Sequence, residues 1–181
     1  MSSTVWRLPV SSGLRFGLPL AAAVVLADQI TKWWVVEHLM RPPGVEQTPF
    51  HTFYSIPVTP FLSLVMAWNR GVSFGIFDND GSYNAVLLSA LALIIVIVLA
   101  VWLHRAEDRL LRMSLGFIIG GALGNVIDRV RFGAVADFIY LHAGHFDWPA
   151  FNLADSAITV GAVLLVADAL FGRRNSHKNS P

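Results

Sequence analysis

Long apolar segments separated by polar connections dominate the pattern along this chain, at about residues 16–36, 85–103, 110–130 and 154–171. The second segment contains no charged residue, and a helix of about 20 residues crosses the roughly 30 Å hydrocarbon core of a bilayer. Since only helices and closed barrels satisfy their backbone groups in lipid, uninterrupted segments of this length favour helices. The pattern predicts an all-α membrane protein with four transmembrane helices.

The first apolar segment also has features of a cleaved signal peptide, because Arg7 and Arg15 precede it and three alanines occur at 21–23. The apolar stretch, however, continues through Trp33 to Val36. Tryptophans at the end of a span are typical of a membrane interface. We therefore predict a spanning helix here.

The connection at about residues 37–83 is longer than an ordinary loop. Within it, residues 61–68 are apolar and include the β-branched and aromatic types that are common in strands. We predict a small β-rich or amphipathic extracytoplasmic cap over this range, lying on the outer leaflet. The whole chain, 1–181, is then a single integral-membrane domain with a disordered tail at about 173–181.

Basic residues flank the predicted spans, and cytoplasmic flanks are enriched in Lys and Arg. Three basic flanks fall on one side of a four-span protein: Arg7 and Arg15; Arg105, Arg109 and Arg112; Arg173, Arg174 and Lys178. We predict that this side is cytoplasmic and that both termini lie there. The connections at 37–83 and about 131–153 are then outside.

Composition agrees with a membrane protein and narrows the chemistry. Of the residues, 55% are hydrophobic and 14% are charged, whereas soluble domains average about 25% charged. The net charge is +1 and the basic residues are dispersed, so we predict no nucleic-acid partner.

The absence of cysteine excludes disulfides, thiolate catalysis and cysteine-ligated zinc. The 6 histidines are scattered without a His-x-x-x-His pair, so we predict no metal site and no cofactor.

Asp137 and Asp155 are the strongest candidates for chemistry. A carboxylate in or beside a bilayer costs about 2.5–3.5 kcal/mol on insertion scales, so such a residue usually has a function. Asp137 lies in the apolar stretch 135–139, and Asp155 lies at the start of the fourth span. Asp155 alone also fits an acid that is favoured by a helix N-terminus. As a close pair in a poorly solvated site, the two would share a proton: one is the general base on a water, and the other polarises a scissile carbonyl.

Two other patterns have structural explanations. Asp28 and Lys32 are four residues apart, so they share a helix face and are expected to form an ion pair that points into the bundle. Gly116, Gly120 and Gly124 repeat at the spacing that allows two helices to pack closely.

For two further clusters of polar residues and glycines, the sequence allows both a structural and a functional role. Asn125, Asp128 and Arg129 lie near the end of the third apolar segment, where they form either an ordinary polar helix end or part of a site. Residues 69–75 form either a turn with two glycines or a loop that presents backbone and amide groups to an extended substrate.

Short segments spread over most of the chain carry a resemblance to a known family. They occupy residues 28–32, 69–75, 121–129, 135–139 and 151–158, in the order found in that family. With four spans, they make the chain similar to the bacterial lipoprotein signal peptidases, also called type II signal peptidases. The resemblance implies an inner-membrane aspartyl endopeptidase that removes the signal peptide from prolipoproteins, cleaving before a diacylglyceryl-modified cysteine. The implied partners are this substrate and membrane lipid.

The resemblance also assigns individual residues. Asp137 and Asp155 match the catalytic aspartates, in a site toward the outer face. The positions that support the site or contact substrate are matched by Asp28, Lys32, Asn69, Gly71, Asn125, Asp128, Arg129 and Asn152.

A small membrane transporter or assembly factor with proton-relay acids is the alternative function. Such a protein is expected to carry acids at the membrane midplane on several spans, whereas the second span here has none. The tryptophans expected to set the level of the protein in the interface are Trp33, Trp34, Trp68 and Trp148.

Overall fold

Four helices that are long and apolar enough to cross a membrane run through the part of the chain that the structure describes. The computed structural model describes residues 11–52, 54–71 and 82–171. The helices are α1 (Ser12–Trp34), α2 (Ser82–Arg105), α3 (Arg109–Phe132) and α4 (Leu153–Phe171). The prediction of four helical spans is confirmed. The tail predicted at 173–181 lies outside the described residues.

The first helix continues past its α-helical part as a π-helical segment, Val35–Met40, and the chain turns away at Arg41. The Arg41 guanidinium donates to both carboxylate oxygens of Glu37 at 2.7 and 2.9 Å and lies over the Phe50 ring. These contacts tie the start of the following connection to the end of the helix.

α3 is the central helix of the bundle, with half of its span buried, whereas little of the α2 span is buried. Glycines allow α3 to approach α1 closely. A Cβ atom at Gly120 would lie 2.7 Å from the Ala21 carbonyl oxygen, and one at Gly124 would lie 2.6 Å from Asp28 Oδ2. The packing role predicted for the glycine repeat is confirmed at these positions.

A four-stranded antiparallel sheet lies beside the helices, with the strands in chain order. The strands are β1 (Ser55–Thr59), β2 (Leu62–Asn69), β3 (Val135–Ala143) and β4 (Phe146–Asp147). The range 37–83 therefore supplies only half of the sheet, and the connection between α3 and α4 supplies the other half. The label all-α describes the spans but omits this sheet. The first half of β3 is buried at every position, so it lacks the alternation that marks a strand in a sequence.

The pairing of β2 with β3 decides which side chains face each other. Ala67 lies directly opposite Asp137, and Asn69 lies opposite Val135. Since alternate residues of a strand share a face, Asn69 is on the same face as Asp137, diagonally across the two strands. The register shifts between Leu64 and Ala67, just before this pair.

Trp68 points to the opposite face of β2, into the apolar core beneath the sheet. Its ring contacts the edges of Phe50 and Phe132 at centroid distances of 5.8 and 5.5 Å. The expectation that Trp68 marks the membrane interface was therefore wrong, because β2 alternates and this position packs inward. The exposed tryptophans of the described residues are Trp33, Trp34, Trp102 and Trp148.

Candidate active site

Asp137 and Asp155 meet where the sheet joins the bundle, and Asn152 bridges them. β3 carries the buried Asp137, and the first turn of α4 carries Asp155. The Asn152 side-chain Nδ2 donates to Asp137 Oδ1 at 2.7 Å, and its backbone N–H donates to Asp155 Oδ2 at 3.1 Å. One residue therefore holds both carboxylates that the sequence singled out, and we call Asp137 and Asp155 together the dyad.

The same contacts cap the N-terminus of α4. The Asp155 backbone N–H donates to Asn152 Oδ1 at 3.0 Å while Asn152 donates back to the Asp155 carboxylate, which is the reciprocal pattern of a capping box. The interpretation of Asp155 as a favourable acid at a helix N-terminus is thus correct, but it accounts for only one of its two carboxylate oxygens. The cap uses Oδ2 and fixes the direction of the other oxygen, Oδ1.

Asn125 of α3 contacts that second oxygen. Its Nδ2 donates to Asp155 Oδ1 at 2.7 Å, while its own Oδ1 accepts from Lys32 Nζ at 3.1 Å and from Asn152 Nδ2 at 3.2 Å. Asn125 therefore connects the dyad to a charged group in α1.

Asn69 holds the other side of Asp137 and shapes the turn that follows β2. Its Nδ2 donates to Asp137 Oδ2 at 3.0 Å, and its Oδ1 accepts the Gly71 backbone N–H at 2.9 Å. Gly71 has φ +94, a left-handed conformation that favours glycine, and a Cβ atom there would collide with the Leu88 side chain of α2. Residues 72–75 of this sequence motif lie outside the described residues.

A second, fully buried carboxylate pair lies behind the dyad. Lys32 Nζ is 2.9 Å from Asp28 Oδ2 and 2.7 Å from Asp128 Oδ2. The predicted pairing of Asp28 with Lys32 is confirmed. The sequence did not indicate that Asp128 completes a three-residue cluster, because that contact joins two helices.

Each carboxylate of this cluster also holds the backbone next to one member of the dyad. Asp128 Oδ2 accepts the Ala136 N–H at 3.2 Å, immediately before Asp137. Asp28 Oδ1 accepts the Ala154 N–H at 3.0 Å, immediately before Asp155. Lys32, by pairing with both carboxylates, couples the position of β3 to that of α4.

Gln29 belongs to this network, although no role was assigned to it from the sequence. Its Nε2 donates to Asp128 Oδ1 at 2.8 Å and to Asp28 Oδ2 at 3.2 Å. Its Oε1 accepts from Arg131 Nη1 at 3.3 Å. Its polar side chain next to Asp28, inside a predicted spanning helix, is the sequence signal that could have indicated this role.

Arg129 lies near the dyad without forming an ion pair to any residue in the described ranges. Its Nη1 makes one long contact of 3.5 Å with the Asn125 carbonyl oxygen. The guanidinium is within electrostatic range of Asp137, Asp155 and Asp128. Arg129 also lines a groove between α2 and α3.

The pKa of Asp137 is raised to about 7, mainly by burial and secondly by the neighbouring charge of Asp155. The donors on Asn69 and Asn152 lower the pKa, but less than burial raises it. A carboxyl group with a pKa near 7 exists in both protonation states at neutral pH. The pair can therefore hold one proton between two carboxylates, which is the state that general acid–base chemistry needs.

Comparison with known proteins places this geometry in a family. Residues 20–171 match the family model described as Signal peptidase (SPase) II. A lipoprotein signal peptidase of Methylorubrum extorquens (strain PA1) is 43% identical over 162 residues, covering 88% of this chain and 88% of the relative. One of Rhodopseudomonas palustris (strain TIE-1) is 40% identical over 164 residues, covering 88% of this chain and 94% of the relative.

A solved structure has a similar fold over nearly the whole chain. It is described as a bacterial membrane enzyme structure obtained by the in meso method, has a TM-score of 0.71 and 27% sequence identity, and covers 97% of this chain and 98% of its own. The match of sequence and fold over the same length confirms the resemblance seen in the motifs. The chain belongs to the signal peptidase II family.

Proposed function

We propose that this protein is an aspartyl endopeptidase of the bacterial inner membrane that removes the signal peptide from diacylglyceryl-modified prolipoproteins, cleaving before the lipidated cysteine. The observation that carries the proposal is the bridging of Asp137 and Asp155 by Asn152. Membership of the signal peptidase II family supports the peptidase activity and the prolipoprotein substrate.

In the proposed reaction, Asp155 is the general base and Asp137 carries the shared proton, since its pKa is raised to about 7. Asp155 takes a proton from water as the water oxygen attacks the scissile carbonyl carbon, and Asp137 donates its proton to the carbonyl oxygen. Asp155 then donates the acquired proton to the leaving nitrogen. The C–N bond breaks as Asp137 recovers its proton from the diol, which restores the starting state.

The other polar residues keep the dyad in position or contact the substrate. Asn69, Asn125 and Asn152 hold the carboxylate oxygens, and Gly71 allows the turn at Asn69. The buried cluster fixes the adjoining backbone. We assign these supporting roles to Asp28, Lys32, Asn69, Gly71, Asn125, Asp128 and Asn152, and a role toward substrate to Arg129.

Replacing either aspartate tests the proposal directly. Asp137→Asn and Asp155→Asn keep side-chain size but cannot exchange a proton, so each is expected to lower kcat/KM by about 10²–10⁴-fold or more. The assay is cleavage of a diacylglyceryl prolipoprotein peptide by purified protein in one detergent. Asp147→Asn, an exposed acid in β4, is the matched control and should retain activity. Near wild-type turnover in either dyad variant would rule out the assignment.

We also propose a single integral-membrane domain with both termini in the cytoplasm and the dyad toward the outer face. The distribution of Lys and Arg in the flanks supports this orientation. A reporter fused to the C-terminus is expected to be active only in the form that works in the cytoplasm, and one inserted at Gly44 only in the form that works outside. The reverse pattern would place the dyad on the inner face and contradict the proposed site.

A further inference from the structure

α2 packs into the bundle near its C-terminal end and exposes more of its side chains near its N-terminal end. Near its C-terminal end, Leu103 is fully buried, and a Cβ atom at Gly17 would lie 2.6 Å from its side chain. At its N-terminal end, the side chains of Tyr83 and Val86 are 71% and 69% exposed. Leu103 also shares an apolar cluster with Leu115 and Ile119 of α3. α2 and α3 therefore pack together at the side we assign to the cytoplasm, and a space remains between them near the dyad.

A groove of about 550 Å³ occupies that space, between the first half of α2 and the end of α3. This volume lies within the range of about 300–1,000 Å³ that is typical of small-ligand pockets. Its wall is mostly apolar and includes small residues, and the residues that matter here are Ala85, Ser89, Ala90, Leu93, Arg129 and Gly133. Val130 at its edge is 77% exposed, so the groove opens sideways, toward the surrounding lipid.

We propose that this groove binds an acyl chain of the substrate's diacylglyceryl group, with Arg129 at the end where the glyceryl ester oxygens lie. The inference rests on the proposed function and adds the place where the lipid is recognised. Arg129 lines the groove and is also within electrostatic range of both dyad aspartates. A ligand held in the groove by its tail would therefore have its polar end beside the dyad.

The size of the groove favours an acyl chain over the signal helix as its occupant. A helix with its side chains is about 10–12 Å across, so three turns occupy roughly 1,500 Å³. That is well above the groove volume of about 550 Å³. A chain of methylenes is much narrower and can enter between the helices from the lipid.

Charge distinguishes this groove from a second apolar groove among the described residues of the bundle. That second groove, of about 410 Å³, lies between α1, α3 and α4 and includes Ala23, Ala27, Leu153 and Val160. None of its lining residues is charged. Ester carbonyl oxygens accept hydrogen bonds, and a guanidinium offers five donors, so the α2–α3 groove suits a lipid with a polar end.

The acyl chain gains little by leaving lipid for a protein groove, because both surroundings are apolar. The groove therefore acts by positioning. It fixes the sulfur-linked glyceryl group relative to the dyad, and the peptide bond before the modified cysteine is then presented to Asp137 and Asp155.

Filling the groove tests the inference. Ala90→Phe places a ring in the groove from an exposed position of α2. Leu87→Phe introduces the same ring at a 60% exposed position outside the groove. For a peptide with two long acyl chains, Ala90→Phe is expected to lower kcat/KM at least tenfold, whereas for the same peptide with two butyryl chains it should change little. Leu87→Phe should leave both values near wild type. Equal effects of Ala90→Phe on the two substrates, or no effect on either, would overturn the inference.

A crosslinking measurement does not depend on turnover. Asp137→Asn protein is incubated with long-chain peptide that carries a diazirine at the end of one acyl chain. The label is expected on residues of the α2–α3 groove such as Ala85, Ala90 and Val130. Label on the second groove around Ala23 and Val160, or spread evenly over lipid-facing positions, would contradict the inference even if Ala90→Phe failed to fold.

The two proposals fail in different ways. If Asp137→Asn retained full activity, the catalytic assignment would be lost while the crosslinks could still mark the groove. If the dyad variants were inactive and the label lay elsewhere, the peptidase proposal would stand and only the lipid groove would be lost.

Discussion

The two carboxylate pairs in this protein differ in how their charge is compensated. Asp28 and Asp128 share the ammonium group of Lys32 at 2.9 and 2.7 Å. Within the described residues, Asp137 and Asp155 have no Lys or Arg at ion-pair distance and are held mainly by amide donors. The compensated pair serves as a structural anchor, whereas in the uncompensated pair the pKa of Asp137 is raised to about 7, so a proton can be gained and lost near neutral pH.

The two pairs nevertheless depend on each other. The compensated pair accepts the backbone N–H groups of Ala136 and Ala154, which immediately precede Asp137 and Asp155. Placing the ammonium one layer behind the dyad gives rigid support without neutralising the dyad carboxylates directly. Charge compensation thus lies in α1 and α3, whereas the pair that we propose to be catalytic lies in β3 and α4.

Removing the shared cation is expected to have the largest effect on stability, because it turns the compensated pair into an uncompensated one. Lys32→Met leaves two buried carboxylates without a counter-charge, and breaking a buried ion pair in this way costs about 3–5 kcal/mol. The measurement is the free energy of unfolding in detergent at pH 8, together with activity.

Removing one of the negative charges as well supplies the control. Asp128→Asn in the Lys32→Met background is expected to recover part of the lost stability, because one uncompensated charge disappears. If the double variant were as unstable as the sum of the two single changes, Lys32 would not be acting through this pair.

Comparing stability at two pH values is expected to give the next largest effect, and it probes the uncompensated pair. The pKa of Asp137 is about 7 in the folded protein and about 3.9 in an unfolded chain. Between these values the folded state binds more protons, so Asp137 lowers stability as pH rises from about 4 to about 7, by up to about 4 kcal/mol.

The matched protein for this measurement is Asp137→Asn, which does not titrate at this position. The difference in unfolding free energy between wild type and variant is expected to move in favour of the variant as the pH is raised from 5 to 8. A difference that stays constant over this range would mean that the pKa of Asp137 is not raised.

The sequence predicted the spans and the dyad because both depend on signals that are local in the chain. Uninterrupted apolar segments specify membrane helices, and an acid within 135–139 is costly wherever that segment lies. The ion pair of Asp28 with Lys32 was predictable for the same reason, since the two are one helical turn apart.

The rest depends on contacts between distant parts of the chain. Asp128 joins Lys32 from another helix, and β3 pairs with β2 across α2 and α3. The burial of β3 on both faces hid its strand character, and the inward direction of Trp68 follows from the alternation of β2 rather than from its residue type. No local pattern contains this information.

The smallest expected effect comes from removing one amide donor from the uncompensated pair. Asn69 donates to Asp137 Oδ2 at 3.0 Å, and this contact lowers the pKa of Asp137. Asn69→Ala therefore raises that pKa and moves the loss of activity at alkaline pH to a higher pH, since Asp137 keeps its proton longer. At pH 7, kcat/KM is expected to fall about tenfold, because a hydrogen bond to a charged group contributes about 1.5–3 kcal/mol and only part of it acts on the transition state.

The measurement is kcat/KM between pH 5 and 9, with Gln47→Ala, an exposed amide in the connection before β1, as the control. A merely structural role of Asn69 would lower the whole profile without moving it, so an unshifted alkaline limb, or one shifted to lower pH, would contradict the assigned contact. The direction of the shift thus tests whether the amides around the dyad stabilise its charge in the way that Lys32 stabilises the charge of the pair behind it.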